Sequence, residues 1–270
     1  MPSIRELNIY PLKSGRAVPL TEARLGVTGF EWDRHWMAAS PEGVFMSQRT
    51  QPRLALIEPT ITADTITLRA PDQPPLEIPL ESNGATQSAR VWKDSITALD
   101  QGDTASEWLT HAVGSPARLL RISPVLDRRA STEFAGSTPA PVSFADGFPI
   151  LVCNSASLVE LNSRMPEPIP MERFRPNIVI DGLDPFEEDR IGTLDFGHIK
   201  LRLVKPCTRC VITSTDQHTG QPSTNPLPIL RTFRFNKALM GVTFGENAVI
   251  EAGVGGILRP GAECRVVHDV

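Results

Sequence analysis

The chain lacks most of the features that assign a protein to a class at a glance. Its four cysteines, at 153, 207, 210 and 264, are too few for a disulfide framework in 270 residues. No window approaches the roughly 20 apolar residues that a membrane helix needs. The start, Met1-Pro2-Ser3-Ile4-Arg5-Glu6, has neither the basic stretch nor the apolar run of a signal peptide. The expected location is therefore the cytoplasm, with no membrane partner. Positive charge is not in excess: the formal net charge is −4, so a global field for a nucleic-acid polymer is missing, although local basic clusters remain allowed. There is no Gly-rich phosphate loop, nucleophile elbow or paired-carboxylate pattern. Internal repeats and low-complexity tracts are absent, and the five histidines show no ligand spacing. His218, the one nearest the cysteine pair, sits in Gln217-His218-Thr219-Gly220, an exposed turn by its composition.

What is present is an ordinary globular composition, 40% hydrophobic, with length for one large domain or two closely packed small ones. Strand signals dominate, so the fold class reads as mainly β with a few helices. Leu7 and Ile9 alternate with Glu6 and Asn8. Two β-branched runs, Ile57 to Ile61 and Thr65 to Leu68, follow, and Pro59 makes the first an edge strand or a turn. Residues 71–79, rich in Pro and Asp, read as a loop. Arg90 to Leu99 reads as a hairpin turning at Lys93-Asp94. Asp103 or Thr104 can cap a helix through Trp108, Leu109 and Val113, ended by Gly114. Asn154 or Ser155 can cap a second, with Leu158 and Leu161 inward, and Ile229 to Lys237 can form a third. Ile178 to Ile180 is a short apolar strand. Ile199, Leu201 and Leu203 alternate in another that stops at Pro206, and Ala262 to Val267 is the last. The 136–141 stretch reads as a Pro-rich surface loop. This gives a β-rich unit over residues 1–100, a helical joint over 101–117 and a second β-rich unit over 118–270.

Three groups of residues carry chemistry. Lys205-Pro206-Cys207-Thr208-Arg209-Cys210 offers two soft thiolates for zinc or another thiophilic metal, with Arg209 and Lys205 favouring the thiolate form. A four-thiolate iron–sulfur cluster would consume every cysteine, and the spacing matches no ferredoxin pattern. A zinc site, a dithiol redox centre and two inert cysteines remain open. The second group comprises cations at turns: Lys13 beside Ser14, Arg34 in Asp33-Arg34-His35-Trp36, Arg49, and Arg175 before Pro176-Asn177. Together they suit a phosphate and a polar ring system; singly each is an ordinary surface cation, and Asp33 with Arg34 also reads as a structural pair. The third is Asp146-Gly147-Phe148-Pro149, either a simple turn or a loop lining a pocket near helix N-terminal amides that receive an anion.

Taken in order, these segments resemble the MOSC family, in the branch of the mitochondrial amidoxime-reducing component and the bacterial proteins that reduce hydroxylaminopurine. The matching stretches are Ile9-Tyr10-Pro11-Leu12-Lys13-Ser14, Asp33-Arg34-His35-Trp36-Met37, and Gln48-Arg49 with Pro52-Arg53-Leu54. Then come Asp146-Gly147-Phe148-Pro149, Ser157-Leu158 with Leu161-Asn162, and Phe174-Arg175-Pro176-Asn177-Ile178. The strongest is Lys205 to Cys210, followed by Thr213, Thr215-Asp216 and Thr219-Gly220. The resemblance implies an N-terminal MOSC-associated β-barrel unit packed on a C-terminal MOSC β-barrel domain, with a molybdenum cofactor (Mo-molybdopterin) between them. It implies that Cys210 ligates the metal and that Thr208, in place of a more usual Ser, and Arg209 touch the pterin or its phosphate. Lys13, Ser14, Arg34, Arg175 and Asn177 match positions around the cofactor, and Arg49 is a further transfer. Gly147 and Phe148 stand where eukaryotic relatives carry small polar residues. The resemblance also leaves an association with pyridoxal phosphate open.

The activity it implies is reduction of N-hydroxylated compounds (amidoximes, hydroxylamines, N-hydroxylated bases) to amines or amidines. The alternative is a non-catalytic carrier that stores the cofactor. Some bacterial relatives carry a C-terminal ferredoxin domain, whereas this chain ends at Val270 without the cysteines for one. Electrons are therefore expected from a separate protein, such as a ferredoxin, a flavodoxin or a cytochrome b5-like carrier with its reductase.

Overall fold

A computed structural model of the chain describes residues 1–81, 84–126 and 128–268. The architecture is mainly β, as expected. Its α-helices are α1 (Asp103–Val113), α2 (Thr132–Ala135), α3 (Ser155–Asn162) and α4 (Leu227–Phe233). The N-terminal alternation becomes the strand Ser3–Ile9, with Ile4, Leu7 and Ile9 buried. Its partners are Val18–Leu20 on one side and, across most of the chain, Ile178–Asp181 on the other. These strands close one end of a nine-stranded sheet running Arg265–His268, Ile191–Asp195, Lys200–Thr208, Gly241–Ala252, Ile150–Asn154, Ile178–Asp181, Ser3–Ile9, Val18–Leu20. The ninth strand, Phe235–Asn236, pairs with Gly241–Ala252.

The apolar run Ile178-Val179-Ile180 sits mid-sheet because both of its faces are covered. Ile178 and Ile180 join one core, and Val179 faces a second, under α3 and α4. Ile150–Asn154 lies parallel to this strand, and α3 supplies part of the crossover that a parallel pair requires. The segment before the last strand returns to the first: Ile4 N–H donates to the Ala262 carbonyl and Cys264 N–H to that of Pro2. The sheet thereby curls back on itself around the larger core.

A four-stranded sheet, ordered Trp36–Ala39, Arg118–Ile122, Asp94–Asp100, Ala85–Val91, carries α1 through Trp108, Leu109, Ala112 and Val113. Its outer hairpin turns at Trp92-Lys93, one residue before the expected turn. Pro59 does lie on an edge, in Glu58–Ile61 of a three-stranded sheet. Among the described residues no helix is long and apolar enough to cross a membrane.

Several expectations need correction. Residues 71–79 are not all loop: Leu76–Pro79 is a strand because Leu76 and Ile78 alternate into the core. The cap of α1 is Gly102, whose N–H donates to the Asp100 carboxylate, rather than Asp103 or Thr104. The third predicted helix begins at Leu227 and ends at Phe233, since Phe235–Asn236 leaves to pair as a strand. The last strand begins at Arg265, not Ala262. The strand beginning at Lys200 does not stop at Pro206. It runs to Thr208, with register shifts between Leu203 and Lys205 and between Pro206 and Thr208 that absorb the proline. Cys207 therefore lies in a strand, and only Cys210 lies in the following loop.

One packing detail sets a pH dependence. His35 is half-buried against Trp32 at 5.4 Å and Trp36 at 6.2 Å. Burial, and then the charge of Arg121, lower its pKa from 6.5 to about 4. The unfolded chain takes up this proton near 6.5 and the folded protein near 4. The stability that neutral His35 contributes is therefore complete above pH 6.5 and is lost as pH falls through that window. Urea unfolding at pH 7 and pH 4.5 is expected to show about 2–3 kcal/mol of this loss, and His35→Gln to remove that share of it.

Candidate functional site

The two halves of the chain meet around a cavity of about 280 Å³. The turns after the first strand and before Trp36 form one side, and the hairpin tip at Trp92 overhangs it. The 145–148 loop, the 174–177 turn and the end of Lys200–Thr208 form the other. All eleven positions singled out in the sequence, Lys13, Ser14, Arg34, Arg49, Gly147, Phe148, Arg175, Asn177, Thr208, Arg209 and Cys210, line this one space. Among the described residues six cations face it (Lys205 is the sixth) against a single carboxylate, Asp146, in a protein whose net charge is negative.

The backbone is strained where the cations enter. Ser14 (φ 68°), Arg34 (φ 52°), Trp92 (φ 57°) and Arg175 (φ 58°) are non-glycine residues in the left-handed region, and all four line the cavity. Such residues cost about 1–3 kcal/mol each and persist only where the surroundings hold them. The holding groups are identifiable. Ser14 C=O accepts from Gln48 Nε2, and Gln48 exchanges a reciprocal pair of amide hydrogen bonds with Gln217. Arg175 Nη1 donates to the Gly15 carbonyl at 2.7 Å. Arg34 donates to both Asp33 oxygens and to Asn177 Oδ1, while Asp33 also accepts from Tyr10 N–H. Asp33 is thus the structural partner.

The Tyr10 ring lies between the Arg34 and Arg175 guanidiniums, each 4.2 Å from its centroid. Burial drives the Arg175 pKa down to about 10, with the Arg34 charge adding to the fall. It is still charged at neutral pH, but its charge is costly.

Lys13 Nζ donates to the Phe144 carbonyl at 2.8 Å and to Asp146 Oδ1 at 2.5 Å, and Trp92 Nε1 donates to the same oxygen. Burial pushes the Lys13 ammonium below its usual range, and Asp146 opposes that. The Asp146 side chain is exposed at the cavity mouth; local desolvation would raise its carboxyl, but Lys13 first, then Arg34 and the Trp92 N–H, outweigh it and hold it well below the usual range. Arg128 fixes the loop from beneath, donating to the carbonyls of Ser143, Ala145 and Asp146. Arg49 stacks over Trp92 at 4.3 Å, and Phe45 packs on that ring at 4.8 Å.

The cysteines are unlike one another. Cys207 Sγ accepts from Arg209 Nη1 at 2.8 Å, and Arg209 Nη2 donates to the Phe174 carbonyl at 2.6 Å. Burial opposes the Arg209 charge, yet cysteines 207, 153 and 210 outweigh it and raise its pKa. Cys210 is exposed and its thiol makes no hydrogen bond among the described residues. Among those residues no three His, Cys, Asp or Glu side chains converge to hold a metal, which leaves no ligand set for a structural zinc site.

The wall fits an anionic ligand. Among the described residues Arg49, Arg175, Lys205 and Arg209 have no carboxylate within ion-pair distance, and the buried Arg209 Nε has no hydrogen-bond partner. A surplus of cations of this kind, three half-buried and Arg49 exposed at the rim, is relieved by a phosphate-bearing ligand, and an exposed thiol on the same wall supplies one soft metal ligand.

Some expectations are not met. The N-terminus of α3 does not face the cavity. Asn154 caps it by accepting from Ala156 N–H, at the far end of Ile150–Asn154 from Gly147, so its amides receive no ligand there. Sequence reading also missed Phe45, Trp92, Phe174 and Lys205 as wall residues. Trp92 had a usable signal, since it stands at the tip of a recognisable hairpin. Arg128 had none.

Comparison with known proteins identifies the family. Residues 1–116 match the MOSC N-terminal beta barrel domain, and residues 139–265 match the MOSC domain. Mitochondrial amidoxime-reducing component 1 of Homo sapiens is 34% identical over 92% of this chain and 79% of its own length. Mitochondrial amidoxime reducing component 2 of Homo sapiens is 33% identical over 86% and 72%. Among solved structures, a Bordetella bronchiseptica protein overlaps 37% of this chain and 85% of its own, with 22% identity and a TM-score of 0.32. YiiM of Geobacillus stearothermophilus overlaps 44% and 54%, with 20% identity and a TM-score of 0.31. With both domains matched in order and a third of its residues shared with full-length relatives, the chain belongs to the MOSC family and is similar to the mitochondrial amidoxime-reducing components.

Proposed function

We propose that this protein reduces N-hydroxylated compounds, such as amidoximes, hydroxylamines and N-hydroxylated bases, using a molybdenum cofactor held in the cavity and electrons from a separate redox protein. The observation that carries the reading is the convergence of six cations and an exposed cysteine on one cavity. The amidoxime-reducing names of the relatives set the substrate class. When bound, the cofactor supplies the two-electron redox chemistry.

The chain's own residues do the rest. Cys210 offers the metal a thiolate. Arg49, Arg175, Lys205 and Arg209, which have no carboxylate partner among the described residues, would neutralise the cofactor's anionic groups, with paired Arg34 and Lys13 beside them, and the strained turns at Ser14, Arg34 and Arg175 fix where the wall charges sit. Trp92, Phe45 and Phe148 give the cavity apolar faces for the substrate's carbon frame. The overall reaction takes two electrons and two protons per N-hydroxy group and releases one water.

The test is direct. Protein from cells that make the cofactor is assayed for molybdenum and then supplied with dithionite and benzamidoxime. Benzamidine formation at a rate proportional to molybdenum content is the expected result. A molybdenum-loaded protein that turns over neither benzamidoxime nor 6-hydroxylaminopurine would overturn the reading. Transfer of its cofactor to an apo-molybdoenzyme would then favour the carrier.

A further inference from the structure

We infer that the face beside Cys210, formed by α4, the strand Phe235–Asn236, the turn to Gly241 and Val211, docks an acidic one-electron carrier protein. The inference rests on the reductase reading above and gives its electron donor a location and a charge.

The face is continuous with the cysteine loop. Arg209 N–H donates to the Val242 carbonyl, and Thr208 pairs with Thr243. A side chain at Gly241 would touch Thr208. Phe235 pairs with Val242, which extends the surface outward, and α4 packs on the turn Val211–Ser214 that begins directly after Cys210. Cys210 is itself exposed, and electron tunnelling falls steeply with distance. A carrier docked on this face would sit beside the loop that presents the ligating thiolate.

The face has a sign. Residues 217–245 carry three of the chain's 27 cations and none of its 31 acids. Arg234 is spent within the fold on Asp189, which it grips with both Nη atoms. Arg231 and Lys237 are exposed and, among the described residues, have no carboxylate within ion-pair distance. Arg231 is held over the Phe235 ring at 5.3 Å. Between these cations the surface is apolar: Met240 is 78% exposed, Val211 52% and Phe235 37%. The turn presenting Met240 is preformed, because Asn236 Oδ1 accepts from Leu239 N–H and Met240 holds a left-handed φ of 49°. Apolar groups set among unpaired cations, on a protein that is acidic elsewhere, suit a small, short-lived, electrostatically steered interface. The complementary partner is an acidic protein whose redox centre lies near its own surface. It delivers two electrons in succession for each N-hydroxy group reduced, with two protons taken up and one water released.

The test separates docking from chemistry. Oxidised plant-type ferredoxin, flavodoxin and cytochrome b5 are each titrated onto the full-length protein by calorimetry at 50 and 300 mM salt. At least one is expected to bind, with affinity about tenfold weaker at the higher salt. The double variant Arg231→Glu/Lys237→Glu and the single variant Met240→Asp are each expected to weaken that binding at least about tenfold and to raise the KM for the reduced carrier to match. Dithionite-driven benzamidoxime reduction stays unchanged, which also shows that the variants are folded. If no carrier binds, if the variants bind and accept electrons as the wild type does, or if anionic vesicles bind the face while carriers do not, the inference fails. Loss of the dithionite-driven reaction in the wild type would instead sink the reductase reading, and the titrations would still decide the docking.

Discussion

Replacing Cys210 by alanine is expected to abolish molybdenum binding and turnover, while replacing Cys207 leaves both largely in place. Cys-x-x-Cys alone gives no reason to tell the two apart. The structure does. Cys207 lies within the strand Lys200–Thr208, and its sulfur is already engaged by Arg209 at 2.8 Å. Cys210 lies past the strand end, exposed, with no hydrogen bond to its sulfur among the described residues. Its backbone is held independently of the thiol, because its carbonyl accepts from both Thr213 N–H and Thr213 Oγ1. Loss of a free thiolate that ligates a metal removes the ligand itself. Loss of Cys207 only releases one of Arg209's contacts, and the bond from Arg209 to the Phe174 carbonyl remains, so most of the metal and turnover are kept. Metal content by mass spectrometry and dithionite-driven benzamidoxime turnover check the two variants together. Cys210→Ala is expected to change the unfolding free energy by no more than about 0.5 kcal/mol, because the side chain is exposed, so lost metal is not lost fold. Equal losses in the two variants would point to a dithiol centre and against a single ligating thiolate.

The asymmetry of the cysteines shows what the sequence could and could not reveal. Alternation located Ser3–Ile9, the apolar run located Ile178–Asp181, and Gly114 ended α1 where expected. That the first two pair with each other was not legible, since a contact between strands about 170 residues apart leaves no mark in either one. Errors gathered at prolines. Leu76–Pro79 was hidden in a Pro-rich stretch, and Pro206 looked like a stop although bulges carry the strand past it. The site positions were legible through the ordered resemblance, not singly: Lys13, Arg34, Arg49 and Arg175 each read as an ordinary surface cation. Their convergence depends on turns in which Ser14, Arg34 and Arg175 take positive φ with no glycine to announce it. The role of Trp92 depends on the four-stranded sheet carrying a hairpin tip over a cavity assembled largely by other segments. Sequence distance hides all of these, and packing alone brings them together.

Asn177 is where that packing is most exposed to a single change, and Asn177→Ala is expected to be the most destabilising of the site substitutions. The residue is 1% exposed. Its Oδ1 accepts from Arg34 Nη1 and from Leu151 N–H, and its Nδ2 donates to the Asn8 carbonyl, each at 3.1 Å. It therefore joins the end of the first strand, the strand Ile150–Asn154 and the Arg34 turn. Alanine leaves a guanidinium, a buried amide and a carbonyl each short of a partner. At about 1 kcal/mol or more per orphaned group, the loss is about 3 kcal/mol. For a chain of this size that corresponds to a fall in melting temperature of roughly 6–12 °C, readable by calorimetry on the metal-free protein. Asn177→Asp keeps both acceptor roles and loses only the donation to Asn8, so its fall should be clearly smaller. Arg34 stays anchored by Asp33 in both variants. Cofactor affinity in the alanine variant should therefore drop by about 10–100-fold, as for other supporting groups, rather than vanish. If alanine leaves the melting temperature within about 2 °C of wild type while abolishing cofactor binding, Asn177 touches the ligand directly and its three protein contacts carry little energy.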